Sequence, residues 1–174
     1  MRIPSIAVLA VTAAPLFAQA KPALSPVADV RDLWKQATAY IVESANDMPE
    51  AKYSFKPTES VRSFGELIGH VAGSQAMFCA IALGEKPPAE DAVEKGAKTK
   101  AALIAALKAS NTACEKAYAQ ADAALGAKVD VFGQQKSRLY ALMMNATHDN
   151  EHYGNIITYL RINGLVPPSS KPAK

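Results

Sequence analysis

Histidine and cysteine are scarce in this 174-residue chain, which has three of the first and two of the second. A metal site built from imidazoles therefore has no spare ligand, and the chain can close at most one internal disulfide. Strand signals are lacking as well: no segment carries a convincing strand pattern, which argues against a sheet-based fold. There is no basic stripe interleaved with aromatics, the footprint of a nucleic-acid binder. The 19 basic and 16 acidic residues come close to balance, more so without Arg2, and the lysines are dispersed or lie in turns. No nucleic-acid partner is expected.

A full membrane span is also missing from the amino terminus. The apolar run from Ile3 to Phe17 is broken by Pro4 and Pro15, and it is shorter than the roughly 20 residues that cross a bilayer. With Arg2 ahead of it and Ala18-Gln19-Ala20 behind, residues 1–20 read as a secretory signal peptide cleaved after Ala20. The expected location is periplasmic or secreted, with the membrane met only through the signal peptide during export. Residues 21–174 then form a single domain of 154 residues, long enough to bury a substantial core.

What is present is helical periodicity. After a proline-bearing lead-in, residues 27–46 place Val30, Leu33, Trp34, Ala37, Tyr40 and Ile41 at three- and four-residue intervals. Prolines 49 and 57 bracket a connection of about a dozen residues. Ser63-Phe64-Gly65-Glu66 has the form of a capping box and starts a second helix that runs through Leu67, Ile68, His70 and Val71 to Leu83-Gly84. Residues 85–97 read as a charged, proline-bearing surface connection, long enough to cross the end of a bundle and leave helices two and three parallel. An alanine-rich third helix covers 99–124, with Leu103, Ala106, Leu107, Ala113, Ala117 and Tyr118 as its buried stripe. A short irregular link follows, and a fourth helix covers 135–163 before Gly164 and Pro167-Pro168. Four helices and no strand describe an all-α bundle.

His148 and His152 stand four residues apart in the last helix. On a helix such residues stack on one face about 6 Å apart along the axis, so two imidazoles can converge on one cation. His70, mid-helix on an apolar side of helix two, is the sole candidate for a third ligand. A lone histidine on an apolar face is also a common core residue, and chance can produce a pair at this spacing. Neutral imidazoles suit zinc, nickel, iron or copper, and three protein ligands leave a position open for water or substrate.

The segment Lys56-Pro57-Thr58-Glu59-Ser60-Val61-Arg62-Ser63-Phe64-Gly65-Glu66-Leu67-Ile68-Gly69-His70-Val71-Ala72 resembles the helix-two signature of the DinB-like superfamily. His148-x-x-Glu151-His152-Tyr153-Gly154-Asn155, with Tyr159-Leu160-Arg161, Gly164 and Pro167-Pro168, resembles that family's last helix. Tyr153 and Asn155 depart from the arginine and glutamine that often flank the glycine. The resemblance implies a four-helix bundle in up-down-down-up order and a divalent metal, zinc, nickel or iron, held by His70, His148 and His152.

Glu151 is the candidate general base or imidazole-orienting group, against the alternative of a solvated helix carboxylate. His148-Asp149-Asn150-Glu151-His152 also fits the H-x-x-E-H form of inverted zinc peptidases. That match reads as coincidence, since those enzymes need a further acidic ligand and a strand to align a peptide. Asp149 is expected at the surface. Asn155 and Tyr159, on the histidine side of the helix, are the candidate substrate-pocket residues, while most aromatics at helical spacing are assigned to the core. Cys79 lies nine residues beyond His70, on the opposite side of helix two and roughly 13 Å further along, so it is no ligand. Whether Cys79 and Cys114 form a disulfide stays open at this level.

Two functions remain: a metal-dependent enzyme, hydrolase-like or transferring a group to a thiol as some DinB-like proteins do, and a non-catalytic metal- or ligand-binding bundle. Export disfavours thiol transfer, because an oxidising exterior does not maintain low-molecular-weight thiols. The expected partner is an unidentified small molecule, and a homodimer stays open.

Overall fold

Ser25 and Pro26 start the first helix: the serine hydroxyl accepts from the Ala28 N–H at 3.3 Å, and Pro26 occupies the first helical position, where its missing N–H costs nothing. The computed structural model describes residues 24–172, so the signal-peptide reading of residues 1–20 lies outside the described residues. Helix α1 spans Pro26–Asp47 and is followed by a 3-10 turn at Glu50–Lys52. Helix α2 spans Phe64–Leu83 and opens on the expected capping box, with Ser63 Oγ accepting from Glu66 N at 3.3 Å and Glu66 Oε2 from Ser63 N at 2.7 Å. It closes at Gly84, whose φ of 75° is the left-handed conformation that a Cβ resists. Helix α3 is a short Ala92–Gly96, α4 spans Lys100–Tyr118 and α5 spans Arg138–Ile162.

The helix directions follow from which residues meet. Gly65 and Gly69 of α2 face Leu103 of α4, Gln75 Nε2 donates to Ser110 Oγ at 2.7 Å, and Cys79 is bonded to Cys114. Early residues thus pair with early and late with late, so α2 and α4 are parallel. Phe64 meets Tyr159 and Phe78 meets His148, so α5 runs antiparallel to α2. Lys35 pairs with Glu115, and Lys100 Nζ donates to the Asn46 and Met48 carbonyls at 2.7 Å, so α1 runs antiparallel to α4. This is the expected up-down-down-up bundle, made possible by the long connection between α2 and α4.

Two apolar clusters fill the interior. One gathers Trp34, Phe78, Tyr118, Leu142 and the disulfide, and the other Ile41, Phe64, Ile68, Leu107, Ile156 and Leu160. Each fully buried aliphatic or Phe side chain contributes about 1.5–3 kcal/mol of transfer free energy. Between them lies a buried polar link across the bundle, in which Trp34 Nε1 donates to Gln75 Oε1 at 2.6 Å. The open question of the cysteines is answered here: Cys79 and Cys114 are joined, their Cα atoms 5.3 Å apart.

Several expectations are corrected. The link after α4 is not irregular: β1 (Lys128–Val131) and β2 (Gln134–Ser137) form an antiparallel hairpin in which Val131 pairs with Gln134. Phe132 and Gly133 both have positive φ, 54° and 79°, as a two-residue hairpin turn requires. Phenylalanine is an unusual residue for that position, and its ring packs edge-on against Phe78 at 5.9 Å. The third long helix ends at Tyr118 rather than 124, with a separate 3-10 turn at Asp122–Ala124. Leu33 and Ala113 face outward, while Val27 and Cys114 face the core.

Residues 85–97 do more than cross the surface. Gly65, Gly69 and Gly73 form one bare stripe of α2, and the backbone around α3 lies directly on it: a Cβ at Gly69 would come 2.8 Å from Glu94 Cα, and one at Gly73 1.9 Å from the Glu90 carbonyl oxygen. With that face covered, 16 of the 20 residues of α2 are buried. Its length and apolarity match a membrane span, but here they serve the central helix of a bundle.

Candidate metal centre

His70 is placed by the second turn of α2, and His148 and His152 by the middle of α5. The antiparallel contact of these helices brings the three Nε2 atoms together. His70 Nε2 is 3.2 Å from His148 Nε2 and 3.1 Å from His152 Nε2, and the last two are 3.0 Å apart. Burial lowers the pKa of His70 to about 4, helped by the Arg62 guanidinium and then by His152. His148 falls to about 3 through burial, then through its histidine neighbours and Arg62. His152 is lowered too, by burial, with Glu151 opposing and Arg62 assisting. All three rings are therefore neutral at pH 7.

Three neutral imidazoles in mutual contact at one nitrogen each cannot satisfy one another, since each edge of the triangle needs one donor and one acceptor. A shared cation resolves this by accepting all three lone pairs. Ligand bonds of about 2.0–2.1 Å at tetrahedral angles hold nitrogens roughly 3.3 Å apart, close to the 3.0–3.2 Å edges found here. The residues fit a divalent metal, and among the described residues the cluster holds no fourth ligand.

When Nε2 faces a metal the ring proton sits on Nδ1 and needs an acceptor. For His70, Glu90 Oε1 and Glu94 Oε2 approach Nδ1 at 3.7 and 3.8 Å. Because His70 is neutral, these are carboxylates near a ring N–H rather than ion pairs. Ser74 Oγ is 3.4 Å from His148 Nδ1, and the Asn155 amide is 3.3 Å from His152 Nδ1. A metal-facing His152 asks Asn155 to present its amide oxygen there.

Residues 33–156 match the family model of the DinB superfamily, a span that includes all three histidines. The chain belongs to the DinB superfamily. Solved DinB-like proteins share the fold: one from Bacillus cereus is 17% identical with a TM-score of 0.69, covering 80% of this chain and 93% of that one. One from Bacillus subtilis is 21% identical with a TM-score of 0.66, covering 83% and 99%. A mycothiol-dependent maleylpyruvate isomerase is 16% identical with a TM-score of 0.63; the match covers 76% of this chain and 60% of that one. No curated protein matches the chain.

In this DinB protein a cavity of about 780 Å³ opens beside the centre, with His152, Arg62, Glu94, Asn155, Thr158 and Tyr159 in its wall. A groove of comparable size, about 720 Å³, runs between α1 and α4 with none of the histidines in it. Tyr159 is buried, and its hydroxyl donates to the Arg62 carbonyl at 2.5 Å, so it shapes the cavity wall while anchoring the entry to α2. Glu151 is exposed, stands outside that wall, and acts on His152 only through its charge.

Asp149 is not at the surface. It is fully buried among the bundle helices, with both carboxylate oxygens unpartnered among the described residues, and burial raises its pKa well above the usual carboxylate range. The α5 face that carries Asn145, Asp149 and His152 points inward because α1 and α2 both pack on that helix. Sequence reasoning missed Arg62, Glu90 and Glu94. Arg62 had a signal, since it stands immediately before the N-cap of the helix that carries His70. Nothing in the spacing of Glu90 or Glu94 announced them.

Proposed function

We propose that the protein is an exported, metal-dependent enzyme, hydrolase- or transferase-like, whose divalent ion, zinc, nickel or iron, is held by His70, His148 and His152. The observation that carries this reading is the convergence of three neutral Nε2 atoms beside a cavity that His152 lines and that is large enough for a small-molecule substrate. A three-ligand set with no fourth protein ligand among the described residues favours catalysis over the alternative, a non-catalytic metal- or ligand-binding bundle. When bound, the ion supplies Lewis acidity.

The chain's own residues do the rest. Glu90 and Glu94 place negative charge 3.7 and 3.8 Å from His70 Nδ1, Ser74 and Asn155 meet the other two rings, and Tyr159 stands in the cavity wall. The Cys79–Cys114 disulfide supports residence in an oxidising compartment, periplasmic or secreted. The isomerase among the structural neighbours is mycothiol-dependent, which keeps a transferase-like reaction in view. Export still favours the hydrolytic branch, because such a thiol is not maintained outside the cell. A homodimer is compatible with this reading.

The test is metal analysis of protein recovered from the exported fraction, with mass spectrometry of its amino terminus. One divalent ion per chain and a start at Lys21 are expected. Absence of stoichiometric metal after zinc, nickel and ferrous loading refutes the metalloenzyme reading, and a retained residue 1 refutes cleaved export.

A further inference from the structure

Arg62 stands immediately before the N-cap of α2 and is fixed from two sides. Its carbonyl accepts from the Tyr159 hydroxyl at 2.5 Å, and its Nε donates to both oxygens of Glu94, at 3.1 and 3.2 Å. Its two terminal amino groups have no hydrogen-bond partner among the described residues, and the side chain is 43% exposed in the wall of the cavity that His152 also lines. Of the other charges in that wall, all but the exposed Glu59 have partners among the described residues. Lys56 pairs with Glu66 at 3.4 Å, Glu66 is tied into the capping box, and Glu94 holds Arg62.

Resting on the metal reading above, we infer that the cavity receives a substrate bearing a carboxylate, which pairs with the free amino edge of Arg62 while the rest of the molecule faces His152. A planar guanidinium held at Nε presents its outer N–H groups in a fixed fork that matches a carboxylate. Charge balance makes the pairing conditional. The cavity wall carries two cations, Lys56 and Arg62, and three carboxylates, Glu59, Glu66 and Glu94, so it is net negative by one charge. Glu90, 3.7 Å from His70 Nδ1, adds a fourth carboxylate beside the histidines, and a divalent ion there brings the sum from net negative by two to neutral. Carboxylate binding is therefore expected to be tighter in the metal-loaded protein than in the metal-free one.

Isothermal titration calorimetry of the purified protein, zinc-loaded and zinc-free, with succinate, glutarate and benzoate and with their neutral amides tests this. At least one carboxylate is expected to bind the loaded protein, roughly tenfold to a hundredfold more weakly in Arg62→Ala, with part of the affinity kept in Arg62→Lys. The amides should not distinguish the variants. Zinc content is measured alongside: wild-type protein that takes up no zinc refutes the metal reading and this inference with it. Loaded wild-type protein that binds none of the three acids, or binds them as well after Arg62→Ala with zinc content unchanged, overturns this inference alone. If Arg62→Ala fails to fold, Arg62→Lys against wild type decides: equal affinity for every carboxylate overturns the proposal.

Discussion

Replacing His70 by alanine separates a cross-helix site from a local pair on α5. In the wild-type protein the three Nε2 atoms form a triangle with edges of 3.0–3.2 Å, and removing His70 leaves one edge, between two rings on a single helix. Two imidazoles cannot close a stable site against water, so metal should be lost as fully from His70→Ala as from His148→Ala or His152→Ala. A ligand present at a hundred times its dissociation constant stabilises the folded state by about 2.7 kcal/mol. In a domain of this size that corresponds to a rise of about 5–11 °C in Tm. Thermal unfolding with and without zinc should show that rise in wild type and no rise in any of the three variants, while all remain folded without metal, because the two apolar clusters do not depend on the ion.

Acid should act in a definite direction. The folded-state pKa values of His70 and His148, about 4 and about 3, lie below the ordinary 6.5, so the unfolded chain takes up protons first. The stability of the metal-free protein is therefore intact above pH 6.5 and falls as pH drops toward 4 and then 3. Proton competition with metal likewise begins lower than the unperturbed value near 6.5 suggests. Full metal retention by His70→Ala, measured by elemental analysis beside depleted His148 and His152 variants, refutes the cross-helix centre.

Other outcomes follow from the packing. The Cys79–Cys114 bridge spans 35 residues of sequence; its loop-closure entropy is worth about 3.8 kcal/mol. Replacing both cysteines by alanine should therefore lower Tm by about 8–15 °C, and an unchanged melt after the double replacement or reduction contradicts that. Gly73→Ala drives a Cβ into the Glu90 carbonyl, whereas a Cβ at Gly154 meets nothing within 4 Å. The first should cost about 1–3 kcal/mol in chemical denaturation, and the second should stabilise α5 by about 0.5–1 kcal/mol; equal effects would contradict the close seating of α3. Asp149, with its pKa raised, supports the fold fully below its unfolded value near 3.9 and progressively less as pH rises. Asp149→Asn should thus match or exceed wild-type stability at pH 7, and a loss of about 3 kcal/mol or more there would reveal a cationic partner for an ionised carboxylate.

The four long helices and the ends that carry a cap were legible in the chain because they depend on neighbouring residues. Ser63 and Glu66 cap α2, Gly84 and Gly164 end helices with positive φ, and His148 and His152 share a face because a helix repeats every 3.6 residues. The all-α class and the bundle order were accessible through those signals, the long connection and the family resemblance. Tertiary structure alone decided which groups gather around the histidines. Glu90 and Glu94 reach His70 because glycines 69 and 73 admit backbone that any side chain would exclude. Arg62 enters the cavity because Glu94 and Tyr159, 32 and 97 residues away, grip it. Asp149 is inside because two helices close over a position that looked polar, and β1–β2 forms because Phe132 adopts a left-handed conformation while packing edge-on against a distant Phe78. Each of these depends on contacts between segments far apart in the chain, whose pairing no local period or cap encodes.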